Sequence, residues 1–301
     1  MTSYLLIVNP ASGKGRARRR AELLVDGLSD HARVEVVETH RRGSAAEIAT
    51  ARAAEVERII AVGGDGTLNE VLSGLMALER SAEALPELGF LPSGTANAAV
   101  RAFGFGSDPG VVAKSLAHVN VRPVDVGVVR YAGGVRPFLL WFGAGFDAVI
   151  IDALNTSRTG LMGIAGLVRN APHVLGALGR YPAPAIEIEV DGSGFGDASS
   201  VVLPNVAEVA FRGIIAEFAD PFDGQLDVVA IPAVSKARLA RLGLSMLTSS
   251  LHRARGVRHT RGNRIRLRSE GEVPFQLDGE PVGKLPVDVW LERGAIRLLL
   301  T

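Results

Sequence analysis

Gly63-Gly64-Asp65-Gly66-Thr67 follows the apolar run Arg58-Ile59-Ile60-Ala61-Val62 and leads straight into Leu68-Asn69-Glu70-Val71-Leu72. A strand that ends in glycines and opens a helix suits phosphate. Bare backbone lets an oxygen come close, and the helix start presents N–H groups with no intrahelical acceptor. Asp65 is out of place in such a cradle: its carboxylate would repel a naked phosphate and calls for a cation such as Mg²⁺ in between, as metal-dependent phosphoryl transfer requires. The same five residues would also make a tight turn with a solvated aspartate. Two other clusters set acids beside a flexible glycine. Asp220-Pro221-Phe222-Asp223-Gly224-Gln225 spaces two carboxylates so that both and a carbonyl can converge on a hard cation, although an Asp-Gly turn explains the spacing equally well. Phe275-Gln276-Leu277-Asp278-Gly279-Glu280 ends a strand with two acids around a turn glycine. A base that takes a proton from an alcohol could sit there, and a solvated turn is the simpler reading.

The elements that must hold these groups alternate through the first part of the chain. Tyr4 to Val8 is a continuous apolar run, as in a strand covered on both faces, and it ends in the loop Asn9-Pro10-Ala11-Ser12-Gly13-Lys14-Gly15. A helix is expected over Arg16–Leu28, a strand over Arg33–Thr39, and then a helix opened by Ser44 with Glu47 completing a capping box. Strand Arg58–Val62, helix Leu68–Leu78, strand Leu88–Leu91 and helix Ala96–Phe103 continue the series. Strand-helix repetition implies a parallel sheet with ligands at the carboxyl ends of its strands. Three such ends carry glycine or hydroxyl groups: Asn9 to Gly15, Gly63 to Thr67, and Pro92-Ser93-Gly94-Thr95.

After about Val124 strands dominate. Val126–Tyr131 and Val135–Phe142 flank a hairpin signal at Gly133-Gly134, and Ile186–Val190 alternates before Asp191-Gly192. Further strands are expected over 226–231, 264–268, 273–277, 287–291 and 296–300, with one amphipathic helix from about Lys236 to Leu251. The division is therefore an α/β unit over residues 1–124 and a mostly antiparallel β unit over 125–294, with the last strand, 295–301, returning to the first.

Composition narrows the classes. With 33 basic and 32 acidic side chains, net charge selects no partner, and the absence of cysteine removes disulfides and thiolate metal sites, in keeping with a reducing cytoplasm. No stretch resembles a signal peptide or approaches a membrane span, so a soluble protein is expected. Gly143-Ala144-Gly145-Phe146-Asp147-Ala148 matches a dinucleotide fingerprint, but the ribose-binding acid about twenty residues on is missing. The acid-free stretch Ala153 to Ile186, with Arg158, Arg169, His173 and Arg180 among apolar residues, suits an anionic membrane surface or a core helix with snorkelling arginines. A second basic run, Arg253 to Arg268, holds seven arginines and no acid. It has no interleaved aromatics for stacking bases, which argues against nucleic acid.

Asn9-Pro-Ala-Ser12-Gly13, Gly63-Gly-Asp-Gly-Thr67-Leu-Asn69-Glu70, Pro92-Ser-Gly94-Thr95-Ala-Asn97, Gly143-Ala-Gly-Phe-Asp147-Ala and Asp278-Gly-Glu280 occur in one order across the chain. Together they resemble the diacylglycerol kinase catalytic family, which includes the soluble bacterial diacylglycerol kinases, YegS-like lipid kinases and sphingosine kinases. The resemblance implies a Rossmann-like parallel α/β nucleotide domain, a C-terminal β-sandwich lipid domain, and an active site in the cleft between them. It implies ATP and Mg²⁺ as cofactors and a lipid alcohol as acceptor, diacylglycerol or a related glycerolipid ahead of a sphingoid base. Peripheral contact with the anionic inner face of a membrane also follows, and a homodimer is open.

Carried over by position, Asn9, Pro10, Ala11, Ser12, Gly13, Thr39, Gly63, Gly64, Asp65, Gly66, Thr67, Leu68, Asn69, Gly94 and Thr95 would contact ATP. Asp220, Asp223 and the Gln225 carbonyl would form a structural Mg²⁺ site. Asp278 and Glu280 would contain the proton acceptor, Asp65 would serve catalysis through Mg·ATP, and Asp147 would meet the lipid head group. Ala98 stands where diacylglycerol kinases usually carry an acid, a feature closer to sphingosine kinases, and Phe211 to Phe218 lacks the family's usual glycine richness. A non-catalytic lipid- or nucleotide-binding relative is the alternative. NAD kinase shares the Gly-Gly-Asp-Gly-Thr loop but leaves Asn9 to Gly13 unexplained.

Overall fold

A computed structural model describes residues 1–28, 32–94, 97–116, 120–156, 164–207, 216–232 and 255–300, with the backbone alone over 164–168. Its internal contacts divide the chain into Met1–Asp125 with Arg293–Thr301, and Val126–Glu292.

In the first unit β1 (Thr2–Val8), α1 (Arg16–Leu28), β2 (Ala32–Glu38), α2 (Ser44–Arg52), β3 (Arg58–Gly63), α3 (Asp65–Met76) and β4 (Glu87–Pro92) alternate as expected. They are followed by α4 (Ala98–Phe103) and α5 (Pro109–Ser115). The strands lie parallel in the order β2-β1-β3-β4, with Tyr4 opposite Val34 on one side and Arg58 on the other. β1 reads as an unbroken apolar run because both its faces are covered. Tyr4, Leu6 and Val8 pack with Ala17, Ala21, Leu24 and Leu28 of α1 and with Val112 and Leu116, while Leu5 and Ile7 are equally buried. The helix at Ser44 does not start with a capping box. Ser44 Oγ braces the preceding turn, accepting from the His40 N–H at 3.1 Å and donating to the Arg41 carbonyl at 2.7 Å, and Glu47 pairs with Arg41.

In the second unit β5 (Asn120–Tyr131), which begins in the first, forms a hairpin with β6 (Gly134–Phe138), and the turn falls on Ala132-Gly133. β7 (Trp141–Gly145) leads into α6 (Phe146–Thr156) and α7 (Ile164–Arg180). Strands β8 (Ile186–Val190), β9 (Ser193–Ala198), β10 (Ser200–Pro204), β11 (Leu226–Ile231), β12 (Arg258–Gly262), β13 (Arg264–Arg268), β14 (Pro274–Leu277), β15 (Glu280–Lys284) and β16 (Val287–Leu300) follow. One antiparallel sheet runs β12-β11-β10-β7-β14-β15, and a second joins β16, β13, β8 and β9. Phe142, Val201, Val228 and Phe275 from the first meet Ile188, Ile265, Leu267 and Val289 from the second in one buried core. The unit is a β-sandwich, as the resemblance implied.

Three expectations change. Gly143 and Gly145, which matched the start of a dinucleotide fingerprint, lie inside strand β7. The last two expected strands are one, β16, whose final residues return to the first unit, where Leu298 pairs in parallel with Leu88 and the Gly294 N–H donates to Asp125 at 2.7 Å. Strands β9, β12 and β15 went unread because their glycine and charged residues break the alternation. The helix expected over Lys236–Leu251 lies outside the described residues, as do Arg158, Phe211 to Ile215 and Arg253.

Candidate active site

In the first unit three loops meet backbone to backbone at the start of α3. The Asn9 N–H donates to the Val62 carbonyl at 2.9 Å, and its side-chain amide reaches Thr67 Oγ1 at 3.3 Å, so the end of β1 is tied to the start of α3. The Asn9 oxygens accept from Ala11 at 3.1 Å and Ser12 at 3.0 Å and curl the first loop. The Gly63 carbonyl accepts from both Ser93 at 2.6 Å and Gly94 at 3.1 Å. Gly13 has φ +61°, and a side chain there would run into the Ser93 carbonyl. A Cβ on Gly94 would lie 2.8 Å from the Gly64 Cα. What this packing leaves at the loops' meeting point is the N-terminus of α3, where unpaired amides and the helix dipole favour an anion. Ser93 Oγ and Asn97 Oδ1 are buried there with no hydrogen-bond partner among the described residues. Both residues belong to the third motif of the sequence, which assigned neither of them a contact.

The structure sorts the other expected contacts. Thr39 stands at the same strand ends through its N–H bond to the Val8 carbonyl at 2.9 Å. Leu68 and Asn69 are buried in α3. Thr95 lies outside the described residues. Asp65 has a structural task that the sequence did not reveal: its two oxygens accept from Ala98 and Ala99, both at 3.0 Å, and cap α4, whose own N-cap residue Asn97 supplies no side-chain bond. Glu70 does the same for α2, accepting from Gly43 at 2.9 Å and Ala45 at 3.2 Å.

In the second unit Asp147 occupies the first turn of α6. Gln276 Nε2 donates to its Oδ2 at 2.8 Å, while Gln276 Oε1 accepts from the Gly279 N–H at 2.7 Å. Gly143 makes room for the first of these bonds, because any side chain there would strike Asp147 Oδ2. Burial pushes the Asp147 carboxyl above its ordinary range, and Gln276 and Trp141 oppose that shift. Trp141 is 3% exposed, and its indole N–H closes no hydrogen bond of normal geometry among the described residues. Asp278, at φ +50°, takes three amides: Leu139 at 2.9 Å, Leu140 at 2.8 Å and Trp141 at 3.0 Å. Asn155 of α6 donates to the Gly279 carbonyl at 3.1 Å, and Glu280 lies 3.9 Å from Arg136. The turn 278–280 is therefore fixed from three sides. A polar residue between Phe275 and Leu277 in an apolar strand is the one signal that could have marked Gln276.

Asp220 and Asp223 form two successive side-chain turns, accepting from Phe222 at 3.1 Å and Gln225 at 2.9 Å. The other Asp223 oxygen lies 3.5 Å from the Arg261 guanidinium, which also reaches the buried Asp227 at 3.0 Å. A hard cation takes six to eight oxygens, and here a fixed positive charge already faces Asp223, so this donor set does not fit a divalent ion as arranged. No cluster of three acidic, histidine or cysteine ligands occurs among the described residues. The arginine run is largely paired: Arg266 holds Asp288 at 2.8 Å and Glu189 at 3.1 Å, and Arg258 bonds the Phe195 carbonyl at 2.7 Å. No described helix is long and apolar enough to cross a membrane.

Residues 3–129 match the diacylglycerol kinase catalytic domain, and residues 141–300 match the YegS C-terminal NAD kinase β-sandwich-like domain. The diacylglycerol kinase of Mycobacterium tuberculosis (strain ATCC 25618 / H37Rv) is 26% identical over 304 residues, covering 97% of this chain and 93% of that protein. A YegS-like lipid kinase of Xanthomonas oryzae pv. oryzae (strain MAFF 311018) is 30% identical over 230 residues, covering 75% and 73%. A crystal structure of a diacylglycerol kinase from Bacillus anthracis str. Sterne superposes with a TM-score of 0.74 at 22% identity, over 99% of this chain and 97% of that one, a likeness of fold. A phosphate-suited loop junction in one unit, a fixed acid turn in the other and these two domains in this order lead to one conclusion: the chain belongs to the diacylglycerol kinase and YegS-like lipid kinase family and is a phosphotransferase of that kind.

Proposed function

We propose that the protein transfers the γ-phosphoryl group of Mg·ATP to the hydroxyl of a neutral glycerolipid, diacylglycerol or a close relative, in preference to a sphingoid base. The observation that carries this reading is the backbone junction of three loops at the start of α3, where Gly13 and Gly94 leave no room for side chains. Asn9 to Gly13, Thr39, Gly63 to Asn69, Gly94 and Thr95 hold the nucleotide. Their amides and hydroxyls stabilise charge on the transferring group in the way phosphoryl transfer demands. Bound together with the nucleotide, Mg²⁺ would supply neutralising charge at its phosphates. Asp65 orients the third loop through α4 and keeps a negative charge beside the site. In the second unit the turn Asp278-Gly279-Glu280 supplies the proton acceptor, and Asp147 meets the head group of the lipid.

The protein works at an anionic membrane surface. Support comes from α7, which exposes Leu175 at 57% alongside Arg169, His173 and Arg180. An exposed apolar side chain among cations suits the interface of such a surface.

The test is a panel of diacylglycerol, monoacylglycerol, phosphatidylglycerol, sphingosine and ceramide in mixed micelles with labelled ATP and Mg²⁺. Label in a glycerolipid supports the reading. Label in NADP from added NAD, and in no lipid, overturns it.

A further inference from the structure

The turn Asp220-Pro221-Phe222-Asp223 leads into β11, and Arg261 stands on the neighbouring strand β12, opposite Asp227 in the ladder. Its guanidinium is fixed by four contacts. Nε donates to the Asp227 carboxylate at 3.0 Å, one terminal nitrogen donates to the Phe218 carbonyl at 2.9 Å, and the other faces Asp223 at 3.5 Å. The guanidinium carbon also lies over the Phe218 ring, 5.6 Å from its centroid, and the His259 ring packs against that of Phe218 at 4.2 Å. Asp227 is 1% exposed, and a carboxylate so buried calls for a cation held beside it. Arginine keeps its proton in a protein, so this charge is permanent.

Asp220 and Asp223 each give one oxygen to a turn amide, from Phe222 and Gln225, and the second Asp223 oxygen is the one that meets Arg261. A divalent ion at this turn would call on that same oxygen and would stand beside the guanidinium, cation against cation. The planar fork already does what such an ion would do: it gathers a carboxylate and a carbonyl of the segment 218–223 and ties them to a strand. We propose that Arg261 takes the place of the divalent ion that the family resemblance implies at Asp220, Asp223 and Gln225. In this chain a guanidinium braces the turn, and Mg²⁺ is required only with the nucleotide. The brace is independent of which lipid accepts the phosphoryl group.

The test is Mn²⁺ binding to the nucleotide-free protein, with the free ion counted by its paramagnetic resonance. Mn²⁺ takes carboxylate and carbonyl oxygens as Mg²⁺ does. Wild type is expected to leave the ion free. Arg261→Gln is expected to bind it at least about tenfold more tightly than wild type, the effect of removing one unit charge a few ångströms from a divalent ion even in water-like screening. Arg261→Lys keeps the charge and is expected to behave as wild type, and adding Asp223→Asn to Arg261→Gln is expected to abolish the gain. Tight Mn²⁺ binding by wild type overturns the proposal. So does an Arg261→Gln protein that binds no better than wild type, an Arg261→Lys protein that gains the ion as fully as Arg261→Gln, or a gain that survives Asp223→Asn. Should neither Arg261 variant fold, thermal melting of nucleotide-free wild type decides. A melting temperature unmoved by EDTA supports the guanidinium brace, and a fall in EDTA overturns it.

Discussion

Asp278→Asn is expected to destabilise the second unit strongly, so that its loss of activity says little about proton transfer. Asp278 Oδ1 accepts from Leu140 and Trp141, and Oδ2 accepts from Leu139. Asparagine keeps one oxygen, which best replaces Oδ1, and its NH₂ group then opposes the Leu139 N–H. Bonds to a charged acceptor contribute about 1.5–3 kcal/mol against about 0.5–1.5 for neutral ones, so two surviving bonds weaken by about 1 kcal/mol each. The stranded amide adds about 1–3 kcal/mol, for a total near 4 kcal/mol before relaxation. At about 2–4 °C per kcal/mol for a unit of this size, the melting temperature falls by roughly 8–16 °C. Glu280→Gln removes only a charge that lies 3.9 Å from Arg136, a partly exposed pair whose loss costs about 0–1 kcal/mol. Circular-dichroism melting beside the lipid phosphorylation assay separates the two. An inactive Glu280→Gln that melts like wild type identifies a chemical role. Asp278→Asn melting at the wild-type temperature would refute the claim that the three-amide carboxylate is structural.

Asp65→Asn is expected to lose one of the two α4 amides, at about 1 kcal/mol as for other caps, and to melt a few degrees lower as well as losing activity; an unchanged melting temperature in a thermal scan contradicts the cap. Gly143→Ala pushes a methyl group against Asp147 Oδ2 and is expected to abolish lipid phosphorylation while ATP binding, measured by calorimetry, persists. Arg261→Gln removes the cation facing Asp223, so added Mg²⁺ is expected to raise the melting temperature of the variant more than that of wild type. Equal shifts would mean Arg261 does not compete for the site. Leu175→Glu is expected to weaken co-sedimentation with anionic vesicles at low salt, where screening is least; unchanged binding would place the membrane contact elsewhere.

The alternation of strands and helices in the first unit was legible because β1, β3 and β4 are short apolar runs bounded by glycine loops, and both signals are local. The same locality marked Gly63 to Thr67 as the glycine junction between β3 and α3, and five ordered motifs carried the family. Locality also marks where the reading failed. Asp65 was read as a loop residue and Glu70 as part of the helix after it, yet their hydrogen-bond partners are amides at the starts of other helices, 33–34 and 25–27 residues away. Gly143 matched a loop fingerprint, yet it lies in a strand, where a glycine often marks a close approach. Its reason is the carboxyl of Asp147, which folds back over it. Gln276 and Asp147 lie 129 residues apart, and Asp278 reaches amides 137–139 residues away. The residue types and loop spacing that make a phosphotransferase were thus written along the chain, whereas which carboxylates brace the fold and which remain for chemistry was decided when folding brought distant donors to them.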